Sequence, residues 1–171
     1  MENLLKTGIK GFTLVELMVA LVIMAILVAI AAPAFQGLIE RQRLKAVVET
    51  ALSDLQIARS EALTLGLSGT VTVTFTDGAS WGYSIVSSGT TPTVERVYND
   101  YGDGVTAAVT GWNKAGSTAA FTITAVRSLD PAGTGSVTFT LGSVSAKIDR
   151  DLLGGVFVCS ANGDLGYKTC S

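Results

Sequence analysis

Residues 12–35 form an almost entirely apolar segment near the start of this chain, and they constrain its fold more than any other feature. Thr13 and Glu16 are the only polar residues between Phe12 and Phe35. As an α-helix the segment would span about 36 Å, which exceeds the ~30 Å hydrocarbon core of a bilayer. A carboxylate at the bilayer centre costs about 2.5–3.5 kcal/mol, so Glu16 is predicted to be functional. The pattern predicts a transmembrane helix.

A short leader, residues 1–11, carries Lys6 and Lys10 and ends at Gly11. An ordinary secretory signal would be cut after small residues such as those at 29–32. The apolar segment instead continues into a charged helical pattern, so a cut there would divide one helix. A plain signal anchor with an incidental carboxylate is the simpler alternative.

The charges that flank the apolar segment do not orient it by themselves. Lys6 and Lys10 precede it, but three further basic residues follow it closely, namely Arg41, Arg43 and Lys45. The positive-inside rule compares the basic residues on the two sides and is therefore indecisive here.

The basic leader, the Gly11–Phe12 junction and the lone Glu16 together resemble the class III signal of type IV prepilins and type II secretion pseudopilins. The resemblance implies that a membrane-embedded prepilin peptidase cuts between Gly11 and Phe12 on the cytoplasmic side and methylates the new amine of Phe12. It also implies that Glu16 acts in assembly by engaging the Phe12 amine of a neighbouring subunit. Residues four apart lie on the same side of a helix, so Phe12 and Glu16 are predicted to share a face.

Beyond the membrane segment, apolar residues recur at spacings of four and three, which predicts a second helical stretch with one buried face. The predicted stripe comprises Leu44, Val48, Ala51, Leu55, Ala58, Ala62 and Leu65. The predicted solvent face comprises Glu49, Ser53, Asp54, Gln56, Ser60 and Glu61. One helix is therefore predicted from Phe12 to Leu65, with a kink at Pro33 and a C-cap at Gly66.

After Gly66 the apolar period changes from 3.6 to 2, which predicts strands. Val71, Val73 and Phe75 alternate with threonines, and Asp77-Gly78 predicts a tight turn into a partner strand, residues 81–86. Further strands are predicted at 94–98, 105–109, 119–126, 136–141, 144–148 and 155–159. With no helix between them, they indicate an antiparallel sheet or two small sheets.

The predicted fold class is α+β. A long N-terminal helix, transmembrane in its first half, packs by its second half on an antiparallel β-sheet domain, as the resemblance to pilins also implies. The predicted divisions are a leader (1–11), a transmembrane and assembly helix (12–35), its amphipathic continuation (36–66) and a periplasmic β domain (67–171).

The second helical stretch narrows the resemblance within the pilin-like proteins. Residues 55–62, LQIARSEA, are similar to a motif of the GspH/FimT group. DNA-binding minor pilins of this group end in a Gly-Arg-x-Arg element, whereas residues 154–159 here read GGVFVC. Nucleic acid is therefore not an expected partner, in keeping with the net charge of −2.

The two cysteines, Cys159 and Cys170, lie near the C-terminus. In a domain exported to an oxidising compartment they predict one disulfide closing a short loop. Their spacing does not suit CxxC redox chemistry, and two thiols alone make a poor zinc site.

Enzymatic function is not predicted. Histidine is absent, which excludes His-based catalytic triads and His-ligated metals. Clustered oxygens at 99–104 (NDYGDG) could ligate Ca²⁺, but an EF-hand loop would need 12-residue spacing and a terminal Glu, so a turn is favoured. No metal or cofactor is predicted.

Four aromatic residues could form a binding face, although core packing is the more common role of such residues. They are Trp81, Trp112, Tyr98 and Tyr101.

The resemblance predicts a non-enzymatic filament subunit, a GspH/FimT-type minor pilin or pseudopilin of a type IV pilus or a type II secretion pseudopilus. Its expected partners are other pilins or pseudopilins, the prepilin peptidase and the inner-membrane assembly platform. It is expected in the bacterial inner membrane with a cytoplasmic N-terminus and a periplasmic β domain, and then in the filament. The alternative is a binding module at a filament tip that contacts DNA, a surface or a secreted substrate.

Overall fold

A computed structural model describes residues 11–66, 69–88, 92–97, 104–124, 133–151, 155–163 and 165–170. The chain divides into two compact units, Met1–Leu38 and Ile39–Ser171. The predicted α+β class is confirmed, because one long helix is followed by strands that form two sheets.

The helix α1 spans Leu14–Thr64, close to the predicted limits of residues 12 and 65. At its end the Leu65 amide donates to the Glu61 carbonyl at 3.1 Å, and Gly66 has a φ of +76°. Glycine adopts this left-handed conformation without the steric cost that a Cβ would add, and this explains the helix end. Pro33 lies inside α1, and a kink there stays a prediction.

In the described part of the chain nine strands follow α1, and the ends of the eight predicted ones differ from prediction by no more than two residues. They are β1 (Thr70–Thr76), β2 (Gly82–Ser87), β3 (Pro92–Val97), β4 (Thr106–Gly111), β5 (Thr118–Thr124), β6 (Gly135–Leu141), β7 (Val144–Arg150), β8 (Val156–Ser160) and β9 (Lys168–Thr169).

The strands form two sheets, ordered β3-β2-β1-β5 and β4-β6-β7-β8-β9. Among the described residues the strands pair antiparallel, as predicted, except that β8 pairs with the two-residue strand β9 in parallel. The disulfide between Cys159 and Cys170 brings the end of the chain back beside β8, where a ladder of two residue pairs forms.

The β1–β2 connection is longer than the predicted tight turn. Trp81 lies before β2, fully buried, and its indole N–H donates to the Val105 carbonyl at 3.0 Å. Gly78 pairs with Ala107 of β4, and Lys114 donates to the Asp77 carboxylate, lowering the pKa of Asp77 chiefly through that hydrogen bond. These contacts join the two sheets at one end, which is why the loop does not close as a two-residue turn.

The core of the second unit combines one face of α1 with the inner faces of both sheets. Six of the seven residues in the predicted helical stripe are buried. Leu65 is 41% exposed because it follows the last helical residue, and Val47, which was not predicted, is buried beside Val48. Among the largest buried side chains are Trp81, Trp112, Phe75, Phe121 and Phe139.

Candidate functional site on the N-terminal helix

The Gly11–Phe12 peptide bond precedes the helix. Gly11, Phe12 and Thr13 have no assigned secondary structure, and α1 begins at Leu14. The Phe12 side chain is 72% exposed, and a Cβ added at Gly11 would meet no atom within 4 Å. Exposed backbone outside regular structure is the preferred substrate of proteases, so this bond is accessible to a peptidase.

Thr13 is the N-cap of α1, a role that the sequence analysis missed. The Glu16 amide donates to the Thr13 hydroxyl oxygen at 3.2 Å, and the Thr13 hydroxyl lies 3.4 Å from Glu16 Oε2, to which it donates. This Thr-x-x-Glu arrangement satisfies an otherwise unpaired amide of the first turn. The signal was present in the sequence, because S/T-x-x-E/Q before an apolar run is a capping-box pattern.

Glu16 lies in the first turn of α1, where the helix macrodipole favours a negative charge. Phe12 lies before the N-cap, so it does not share a helical face with Glu16 in the uncleaved chain. The reason is that the N-cap residue adopts non-helical dihedral angles while its side chain caps the first turn. Within the described part of the chain, the polar contacts of the Glu16 carboxylate come from Thr13. The carboxylate is exposed and can form an ion pair with a cationic group of another molecule.

The apolar segment that follows Glu16 is not buried against the rest of the described chain. α1 contains a stretch long and apolar enough to cross a membrane, and none of that stretch is buried within the protein. Large side chains such as Leu17, Leu21 and Leu27 are all more than half exposed. Apolar area of this extent requires lipid or other apolar helices as its surroundings.

The LQIARSEA segment holds α1 against the first sheet. Leu55, Ala58 and Ala62 are buried in the core that α1 shares with the strands. Glu61 accepts a hydrogen bond from the Ser87 hydroxyl at the end of β2.

Asp54 is buried rather than solvent-facing as predicted, and this corrects the predicted polar face. Its Oδ2 accepts a hydrogen bond from the Tyr83 hydroxyl at 2.8 Å. Buried carboxylates are stable only with such partners, and the tyrosine that supplies this one comes from a strand distant in sequence.

The disulfide loop covers another part of the core. Cys159 and Cys170 are bonded, with Cα atoms 5.0 Å apart. Between them Leu165 is buried and the ring of Tyr167 packs on the core. Burial, and after it the negative charge of Glu49 on α1, raises the pKa of Tyr167. The loop therefore reaches the helix face that carries Glu49.

We expect Cys170→Ser to loosen this loop and lower the midpoint of thermal unfolding. The chain-entropy estimate for a loop of this size is about 3 kcal/mol, so the midpoint should fall by about 10 °C. The pKa of Tyr167 should fall toward its ordinary value as the ring becomes hydrated. Absorbance at 295 nm during alkaline titration measures this, and an unchanged titration would show that the loop holds its position without the bond.

Other candidate sites receive no support from the described residues. Trp81 and Trp112 are fully buried and so cannot form a binding face. Tyr98 and Tyr101 lie outside the described residues, as does all of the Ca²⁺ candidate at 99–104 except Gly104. Among those that are described, no cluster of three acidic, Cys or His side chains could hold a metal ion.

Comparison with known families gives two matches. Residues 6–32 match the family described as the prokaryotic N-terminal methylation motif, a range that includes Gly11, Phe12 and Glu16. Residues 47–154, more than half of the chain, match the family described as type II transport protein GspH. This second range includes LQIARSEA and strands β1–β7. No curated protein and no solved structure matches the chain significantly.

Proposed function

Because the chain belongs to the type II transport protein GspH family, we propose that it is cleaved between Gly11 and Phe12, N-methylated and assembled through α1 into a filament. Membership in this family, together with the methylation motif, marks a pseudopilin or minor pilin, which is a structural filament subunit and not an enzyme. The observation that carries the proposal is the exposed, non-helical Gly11–Phe12 bond directly before a capped apolar helix.

The proposed processing follows from the local geometry. The peptidase would act on extended backbone, and Gly11 presents no side chain to its site. Cleavage would leave the cationic amine of Phe12 two residues before the start of α1. The capped first turn then remains intact, because Thr13 and Glu16 both belong to the mature chain.

We expect Gly11→Arg to block this processing, because it places a long charged side chain at the scissile bond. Apart from its chain neighbours, a Cβ at this position meets no atom of the described residues, so the substitution should leave the described fold unchanged. Intact-mass measurement of the membrane-extracted protein distinguishes the full chain from one that begins at N-methylated Phe12. The control is Lys10→Arg, which preserves the positive charge beside the scissile bond. Gly37→Arg would not be a suitable control, because Gly37 lies within α1. A mature chain that begins after Ala29 would contradict the proposed processing.

The proposed role of Glu16 is to receive the Phe12 amine of a neighbouring subunit during assembly. Each charge alone is costly in hydrocarbon, and pairing offsets part of that cost. The pair therefore sets the register in which a new subunit joins the base of the filament. A subunit that begins the filament has no neighbour above it and would not need the carboxylate, so we place this subunit below the extreme tip.

The apolar helix and the methylation motif support anchoring in the inner membrane before assembly. We propose a cytoplasmic N-terminus and a periplasmic β domain, which agrees with the disulfide, since such bonds persist in oxidising compartments. The family name favours a type II secretion pseudopilus over a type IV pilus. The proposed partners are the other subunits of that filament, the prepilin peptidase and the inner-membrane assembly platform.

A further inference from the structure

Three basic residues follow the apolar segment within one short stretch of α1: Arg41, Arg43 and Lys45. All three side chains are exposed. Arg41 and Arg43 make no ion pair with any residue in the described ranges, and Lys45 makes only a loose pair with Glu49 at 3.7 Å. We call Arg41, Arg43 and Lys45 the basic collar.

The acidic residues on either side of the collar are engaged by the β domain. The Glu40 carboxylate lies against the β6–β7 turn, where a Cβ added at Gly142 would come within 2.8 Å of Glu40 Oε2. Glu49 lies close enough to Tyr167 to raise the pKa of its phenol. Among the described residues the two arginines are therefore exposed cations with no acidic partner, although the whole chain has a net charge of −2.

The collar is close to the membrane if residues 12–35 span it, as the proposed function requires. Arg41 follows Phe35 by six residues, so even a fully extended chain would place it at most about 22 Å beyond Phe35, and a helix about 9 Å. The headgroup layer on each side of a bilayer is about 5–8 Å thick. We propose that the basic collar binds the anionic headgroups of phospholipids in the leaflet next to the β domain and holds the subunit there until it is extracted into the filament.

The chemistry of the collar favours phosphate as its ligand. Arginine binds phosphate oxygens through two parallel N–H donors, and no described residue occupies these donors of Arg41 or Arg43. Each basic residue near an anionic lipid surface strengthens binding to that surface about fivefold. Carboxylates of a neighbouring subunit are the competing partner, but they would meet the collar only after assembly, whereas lipid surrounds the chain from the moment of insertion.

The test uses the full-length chain reconstituted in vesicles of phosphatidylcholine with added spin-labelled phosphatidylglycerol or phosphatidylcholine. The fraction of motionally restricted label gives the relative association of the two lipids with the protein. The test variant is Arg41→Gln with Arg43→Gln. The matched control is Lys147→Gln with Lys168→Gln, which removes the same charge from the β domain. The leader cations are present in every variant and contribute a constant background.

We expect the wild-type chain to prefer phosphatidylglycerol, and the arginine variant to lose up to about 25-fold of that preference at low salt. Raising the salt from 20 to ~500 mM should reduce the wild-type preference, because the Debye length shortens from ~20 Å to ~4 Å. The control should keep the preference of the wild type. An equal preference in the arginine variant, or an equal loss in the control, would overturn the proposal.

Failure of the lipid contact is distinguishable from failure of the proposed function. Resistance of the reconstituted chain to alkaline carbonate extraction reports membrane insertion independently of the headgroup. If the arginine variant keeps its lipid preference but fails to join filaments, the collar binds carboxylates of another subunit and the lipid proposal is wrong. If the chain is extracted by carbonate, the proposed membrane anchoring itself is wrong.

Discussion

Glu16→Ala is expected to abolish efficient incorporation into filaments while leaving cleavage and membrane insertion normal. The carboxylate lies in the exposed first turn of α1, five residues after Gly11, so its removal does not alter the scissile bond or the apolar segment. What the alanine variant lacks is the partner for the Phe12 amine of a neighbouring subunit. An unpaired charge buried among apolar helices costs several kcal/mol, enough to reduce incorporation more than a hundredfold.

The structure adds a complication to this experiment, because Glu16 also belongs to the helix cap. Glu16→Gln retains a capping-box residue but removes the charge, so it should fail like alanine if pairing is the cause. Thr13→Val removes the cap but retains the carboxylate and should cost about 1 kcal/mol of helix stability with incorporation largely preserved. Glu16→Asp should be intermediate, since the shorter side chain reaches less far.

Sheared filaments and cross-linked membrane complexes, probed with an antibody to the β domain, measure incorporation in these variants. Intact mass establishes in each case that the chain begins at Phe12. Normal incorporation of both Glu16→Ala and Glu16→Gln would show that apolar helix packing alone sets the register. A failure of Thr13→Val alone would assign the effect to the cap.

Phe139→Ala is expected to destabilise the β domain by about 3–5 kcal/mol. Phe139 is fully buried on β6 and packs edge-on against Trp81, with ring centroids 5.0 Å apart. Its removal leaves a cavity in the core beside Trp81 and also removes an aromatic pair worth about 0.5–1.5 kcal/mol. The unfolding midpoint should fall by about 10–20 °C.

Phe157→Ala is the matched control, because Phe157 lies on β8 of the same sheet but is 60% exposed. Its midpoint should change by no more than about 2 °C, as for ordinary surface substitutions. Tryptophan fluorescence of the full chain follows both variants, since the two tryptophans are both buried in the core and report on the β domain alone. Equal shifts in the two variants would contradict the core assigned to this domain.

The sequence determined the local features of this chain. The apolar run Leu17–Phe35 fixes the membrane-compatible part of α1, because 19 consecutive apolar residues are long enough to require an apolar surrounding such as a bilayer. Gly66 and the change of period beyond it located the end of the helix and eight of the strands to within two residues. The Thr13–Glu16 cap could also have been predicted, since both partners lie within one turn.

The tertiary structure decided the features that depend on partners distant in sequence. Asp54 looked like a solvent-facing residue, yet Tyr83 of β2 makes its burial possible by donating a hydrogen bond. The two sheets are joined at one end by Gly78 pairing with Ala107 and by Lys114 bonding to Asp77, contacts between residues about 30 or more positions apart that no local pattern indicates. Arg41 and Arg43 likewise have no acidic partner among the described residues, and the neighbouring Glu40 carboxylate lies against the β6–β7 turn. Periodicity records which face of an element is apolar, but only the fold determines which distant group meets a polar side chain and so whether that side chain is paired or free.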